Sequence, residues 1–257
     1  QHFILNRGQR GRMIKALTTT SMVDKICAAH GLPCVETGVG FKYIASEMIR
    51  GGVLLGFEES GGIGFPGHTE MLAALTGSRV AMMLASDTLR VVLATTHIPL
   101  RDVPAAVTPT AIADAAAVTR DGLQRWFGIA KPRIALCGMN PHLGDGGRFG
   151  TEDDAVLAPA ARAAGIAGPL AADTVFVRGM RGEFDAVIAP YHDVGMTAIK
   201  VASFGSAVNV TLGLPFPRTS PDHGTALDIA GQDRADPSSM IAAMQVACSM
   251  VVRTARA

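Results

Sequence analysis

A chain of 257 residues can hold one large domain or two modest ones. Its 48% hydrophobic residues, 18% charged residues and 29 glycines suit a well-buried α/β globule and argue against disorder. A net charge of +1 without a basic block makes nucleic acid an unexpected partner, and apolar runs such as VAMMLA and VVLA are too short to span a bilayer.

The chain opens on Gln1, and QHFILNRGQRGR lacks the apolar core of a signal peptide, so this end is expected to be cut rather than processed. MIKALTTT reads as a strand, SMVDKICAAHG as a helix capped by Ser21 and closed by Gly31, and LPCVETGV as a strand. FKYIASEMIRGG reads as a helix and VLLGFEE as a further strand. Such alternation predicts a βαβ layer. Cys27, Cys34, Cys137 and Cys248 lie in apolar surroundings without metal-type spacing, the pattern of reduced thiols in a cytoplasm.

TTTSMVDKICAAHGLPCVETGVGFKYIASEMI followed by GFEESGGIGF resembles the latter part of the third domain of the phosphoglucomutase and phosphomannomutase family. That resemblance implies sugar-hydroxyl contacts for Glu58 and Ser60, although Phe57 stands where the family has glycine. The phosphoserine loop, the magnesium aspartates and the terminal phosphate-binding domain of that family have no counterpart, which predicts an idle loop. Character changes from Gly64 to His68, where a GxPGH-like string joins two pieces, as a fusion, a recombination or an assembly product would read. Gly62, Gly64 and Gly67 also form a GxGxxG, with Asp87 about where a ribose-binding acid would stand. A lone pattern of this kind is weak, and Pro66 sits inside its turn.

Beyond the junction EMLAALTG reads as a short helix, and RVAMMLA and RVVLATTH as buried strands. IADAAAVTRDGLQRWFGI follows as a helix. PRIALCGMNPH is a strand running into the glycine-rich LGDGGRFG, and TEDDAVLAPAARAAG a helix with acids in its first turn. DAVIAPYHD is a strand ending in polar residues, and the turn-rich stretch after it surrounds a buried strand, AVNVTL. PSSMIAAMQVACSMVVRTA is the closing helix.

Three histidines share one context. His97 ends ATTH, His142 ends CGMNPH and His192 ends IAPYH, each after an apolar strand, so all three are expected at corresponding edges of one sheet. Neutral imidazoles in that number suit a divalent metal with an open position for substrate. Asp193 and Asp222 adjoin histidines and are candidates to orient them; Asp222 with His223 reads equally as turn structure near a nucleotide.

In order along the chain, GHTEMLA, LATTHIPLRDVPAAVTP, PRIALCGMNPHLGDGGRFGTED, GPLAADTVF, YHDVGM and VNVTLGLPFPRTSPDHGTALDIAG resemble the 4-hydroxythreonine-4-phosphate dehydrogenase family. The resemblance covers residues 66–257, with 1–65 as the mutase-like fragment. It implies an isocitrate and isopropylmalate dehydrogenase-like α/β/α fold, lacking its usual first segment and preceded by a small βαβ layer. It makes His97, His142 and His192 metal ligands, His68, Thr69, Lys200, Asn209 and Arg218 substrate contacts, and Lys200 and Asp193 catalytic. The implied cofactors are NAD or NADP, at residues the sequence does not identify, and a divalent metal, zinc, magnesium or cobalt. Lewis-acid stabilisation of the substrate alkoxide, hydride loss and then decarboxylation make up the implied chemistry. A phosphorylated small-molecule substrate, a homodimer with metal ligands from both subunits, a cytoplasmic location and no membrane partner complete the expectation. Val194, where the family has glutamine, leaves open a related substrate, a phosphorylated threonate-like acid or a cis-dihydrodiol dicarboxylate. Replacement of the family's first portion also leaves open a catalytically impaired fusion product.

Overall fold

The computed structural model describes residues 11–16, 21–38, 43, 47, 53–57, 68–203, 206–223, 229 and 231–254. The chain divides into two compact units, Gln1–His68 and Thr69–Ala257. The first contains β1 (Arg12–Ala16), α1 (Met22–His30), β2 (Cys34–Thr37) and β3 (Val53–Phe57), with the strands parallel in the order β2-β1-β3. Gly31 closes α1 at φ +61, where a side chain would be strained. Ser21 does not cap it: its own backbone is helical and its side chain makes no cap hydrogen bond. Central β1 carries Lys15, whose buried ammonium lies 2.8 Å from both Asp24 and Glu36. Glu58, Ser60 and the glycines at 62, 64 and 67 lie outside the described residues, as does most of FKYIASEMIRGG.

The second unit is built on a seven-stranded sheet. After α2 (His68–Thr76), whose first residue belongs to the first unit, come β4 (Ala81–Ala85), β5 (Arg90–Leu93), α3 (Pro109–Arg125) and β6 (Ile134–Cys137). Then follow α4 (Ala158–Ala164), β7 (Ala167–Leu170), α5 (Ala172–Met180), β8 (Ala186–Ala189), α6 (His192–Ala202), β9 (Val208–Leu212), β10 (Thr219–Pro221) and α7 (Ser238–Thr254). Strand order is β10-β9-β4-β5-β8-β6-β7. β5, β8, β6 and β7 run parallel to one another, whereas the pairs β4·β5, β4·β9 and β9·β10 are antiparallel.

Side chains alternate across this sheet, and both faces are covered, which is why its strands read as unbroken apolar runs. Met83, Val92, Leu136, Ile188 and Val210 meet α3, α4 and α7 on one face. Met82, Leu84, Val91, Leu93, Ala135, Val187 and Ala189 meet α5 and α6 on the other. β4 and β5 are joined by a tight turn in which the Ser86 N–H donates to the Leu89 carbonyl at 2.9 Å, so Asp87 sits in a hairpin turn. Since β3 and β4 also belong to different sheets, the GxGxxG is not followed by the crossover to a parallel strand that a dinucleotide fingerprint needs.

Two expected boundaries shift. TEDDAVLAPAARAAG begins as a π-helical turn, Asp153–Leu157, before α4. The stretch read as turn-rich after IAPY is instead the eleven-residue helix α6, in which Gly195 and Ile199 are buried. All four cysteines are free, and among the described residues no helix is long and apolar enough to cross a membrane.

Candidate active site

The three strands preceding the histidines are neighbours, β5-β8-β6, and they run parallel, so their C-terminal ends share one edge of the sheet. Ligands in open α/β sheets bind outside such an edge. Two hydrogen bonds lock the first two ends together: the Ala94 N–H donates to the Ala189 carbonyl at 2.9 Å, and the buried Thr95 hydroxyl donates to the Pro190 carbonyl at 2.8 Å. His97 and His192 then face one another with ring centroids 5.8 Å apart.

Each ring is held by a carboxylate. His97 Nδ1 lies 3.2 Å from Glu70 Oε1, and His192 Nδ1 lies 2.7 Å from Asp193 Oδ1. An ionised carboxylate only accepts, so a neutral ring making either contact would donate from Nδ1 and leave the Nε2 lone pair free. Carboxylates bound to the far nitrogen of an imidazole are the usual support of metal-ligating histidine. Burial of Glu70 opposes its charge, but hydrogen bonds from Thr96, its own backbone and His97 outweigh that and hold the carboxyl below its ordinary range. Glu70 was missed in the sequence; its only signal is an acid directly after the His-Thr pair in GHTEM.

His142 is placed differently. It lies in a tight 3₁₀ turn, Pro141–Gly144, with φ +52, followed by Leu143 at +59 and Asp145 at +45, left-handed conformations uncommon for residues other than glycine. Beneath this turn the fully buried Asp153 accepts from the Met139 N–H at 2.8 Å, the Asn140 N–H at 2.9 Å and Asn140 Nδ2 at 3.0 Å. Such strain persists where the surroundings over-determine it. Among the described residues no three of His, Cys, Asp and Glu are grouped to hold a metal ion. The expected convergence of three histidines is therefore, within one chain, a pairing of two. His97 and His192 fit half a metal site.

The remaining candidates lie on the α6 side of the sheet or lead toward it. Asn209 and Thr211, two apart on β9, pair with Leu84 and Met82 of that face. Arg218 Nη1 donates to the Thr211 hydroxyl at 2.9 Å, and burial depresses the guanidinium's affinity for its proton. Asn209 Oδ1 is buried without a partner among the described residues. Lys200 Nζ donates to the Asp222 carbonyl at 3.1 Å, so Asp222 meets the lysine through its backbone. His68 and Thr69 open α2, and Thr69 is buried. Asp193 and Thr197 line a shallow groove of about 390 Å³ with Tyr191, Val194 and Phe176. Lys200 lines an adjoining one with Met196, Thr197 and Val201.

The profile of the family described as pyridoxal phosphate biosynthetic protein PdxA matches residues 56–247. That of phosphoglucomutase/phosphomannomutase α/β/α domain III matches residues 2–100, so the two overlap. The chain is 48% identical over 230 residues to a 4-hydroxythreonine-4-phosphate dehydrogenase of Aromatoleum aromaticum, covering 87% of this chain and 68% of the relative. It is 52% identical over 195 residues to that of Roseobacter denitrificans, covering 73% and 60%. It thus spans roughly two thirds or less of the length of these relatives. The crystal structure of the Klebsiella pneumoniae 4-hydroxythreonine-4-phosphate dehydrogenase superposes with a TM-score of 0.66 at 36% identity, over 88% of this chain and 67% of that one. Isocitrate dehydrogenase from Methylococcus capsulatus, 14% identical over 95% of this chain and 87% of that one, shares the fold with a TM-score of 0.54.

Proposed function

The chain belongs to the PdxA family of pyridoxal phosphate biosynthetic proteins, and from that membership we propose that it is a metal-dependent, NAD- or NADP-linked dehydrogenase of 4-phosphooxy-threonine, with decarboxylation following oxidation. The observation that carries the reading is the facing pair His97 and His192, each held at Nδ1 by a carboxylate at adjoining parallel strand ends. A divalent ion bound there, zinc, magnesium or cobalt, would supply Lewis-acid polarisation of the substrate hydroxyl.

The chain's own groups do the rest. Arg218, unpaired with any carboxylate among the described residues and steadied by Thr211, offers a fork to a phosphate or carboxylate. Lys200 adds a point charge in this reading, supported by the hydrogen bond of its Nζ to the Asp222 carbonyl, just after β10. The orphaned Asn209 Oδ1 supplies an acceptor for a substrate donor, since a buried polar atom without a partner is costly. His68 and Thr69 stand in the first turn of α2, where backbone N–H groups favour an anion. Asp193 acts through His192, orienting its ring, rather than on the substrate. In this reading the working form is a cytoplasmic homodimer whose metal ligands come from both subunits, with His142 completing the set. Residues 66–257 form the dehydrogenase portion and 1–65 a phosphohexomutase-like piece.

The test is NADH formation, followed by absorbance, from 4-phosphooxy-threonine by protein loaded with zinc, magnesium or cobalt, together with its metal content. His97→Ala and His142→Ala are each expected to abolish bound metal and turnover. Metal retained in both variants, or no turnover by the loaded wild type, would overturn the proposal.

A further inference from the structure

We infer that Glu70 is a positioning residue: its carboxylate holds the His97 ring with the proton on Nδ1 and so leaves the Nε2 lone pair for a metal ion. The inference rests on the proposed metal reading of the His97 and His192 pair. Glu70 stands in the first turn of α2, 27 residues from His97, and among the described residues its side-chain hydrogen bonds are made by Oε1. It accepts from the Thr96 hydroxyl at 2.6 Å and meets His97 Nδ1 at 3.2 Å. Thr96 thus steers the carboxylate, and the carboxylate steers the ring. On the other side Thr95 pins the same loop to Pro190, so backbone and ring are held separately.

Glu70 Oε2 is buried and makes no hydrogen bond among the described residues. A carboxylate kept only for the cohesion of α2 with this loop would not leave one oxygen desolvated and unpaired, because that opposes stability. What the charge supplies instead is an acceptor that a neutral side chain provides more weakly, aimed at one nitrogen of one ring. A free neutral imidazole prefers its proton on Nε2, the nitrogen that must be bare to bind metal, so a ring without this carboxylate begins in the wrong tautomer.

The experiment compares the full-length wild type with Glu70→Gln and Glu70→Leu in two measurements. In metal-free protein, ¹⁵N ring shifts assigned to His97 are expected to report the Nδ1–H tautomer in the wild type and a shift toward Nε2–H in Glu70→Leu. In cobalt(II) titrations followed by visible absorption, both variants are expected to lose about 10–100-fold in affinity. A wild-type His97 protonated on Nε2, or cobalt affinity in Glu70→Leu within about twofold of wild type where a loss of the size above is expected, would overturn the inference. Cobalt binding equal in wild type and His97→Ala would instead overturn the metal reading and the metal role of Glu70 with it, and the ring shifts would still decide whether Glu70 sets the tautomer.

Discussion

Gly195 is where packing most directly controls the position of a site residue. It lies one turn into α6, three residues after His192, on the side of the helix that faces β5 and β8. A Cβ built there would meet Leu93 Cδ2 at 2.7 Å, Ala189 Cβ at 2.9 Å and Val91 Cγ1 at 3.0 Å, all below the 3.4 Å at which ordinary contact begins. Leu93 can rotate its terminal methyl away. Ala189 cannot, because its Cβ moves only with β8. Gly195→Ala therefore needs α6 to lift from the sheet by about half an ångström, overpacking of a kind that costs about 1–3 kcal/mol. Better helix propensity of alanine returns about 1 kcal/mol. The expected net loss is thus roughly 0–2 kcal/mol, read from urea denaturation. Because α6 carries His192 and Lys200, turnover should fall more than stability suggests, since misplacement by about 1 Å can cost on the order of a hundredfold. Gly179→Ala on α5 is the control: its Cβ would meet only the side-chain ends of Leu89 and Val187, at 2.9 and 3.2 Å, on a helix that carries none of the histidines. It should lower stability by less and leave turnover near that of the wild type. Wild-type stability and turnover in Gly195→Ala would refute the packing argument.

Asp153→Ala removes the acceptor of the Met139 and Asn140 amides, and at about 1–3 kcal/mol for each of these two part-buried donors left unpaired it should lower unfolding free energy by roughly 2–6 kcal/mol. A loss in calorimetry no larger than that of a surface substitution would contradict the clamp. Thr95→Val keeps shape but orphans the Pro190 carbonyl, and a loss of about 1–2 kcal/mol is expected, with weakened cobalt binding as its second readout. Burial, helped by the charge of Asp153, pushes the Cys137 thiol up to about 12, so iodoacetamide at pH 8 should label Cys137 only after denaturation, as mass spectrometry can show. Labelling of native Cys137 as fast as Cys248 would contradict that. Burial works against the charge of Asp185, but the side-chain and backbone N–H groups of Arg133 outweigh it and hold its carboxyl below the ordinary value. The stability this contributes is present above about pH 4, the unfolded value, and is lost as pH falls through the folded one. Asp185→Asn should therefore lower the melting temperature by a few degrees at neutral pH, and the gap should close in acid; a gap independent of pH would refute the assignment.

The sequence by itself determined the local grammar of this protein. AMMLA, IALC and AVIA could be read as strands because a sheet covered on both faces needs apolar residues at every position, and Gly31 could be read as a helix end because a left-handed residue was required there. The residue types of the site, and the long ordered motifs that carry the family, were equally legible. Which of those residues meet was decided by tertiary structure alone. Thr95 and Pro190 are 95 positions apart and Glu70 and His97 are 27 apart, and only the order β5-β8-β6 and the docking of α2 bring them together. That order gathers the three strand ends at one edge, yet loop geometry pairs His97 with His192 and sets His142 in its own left-handed turn. α6 hid in a turn-like string because its polar first turn lies at the edge of the sheet, while the positions that commit it to a helix, Gly195 and Ile199, count as such only once a sheet is there to bury them. Contacts across parallel strands are non-local, and no local pattern of residues encodes the partner they will find.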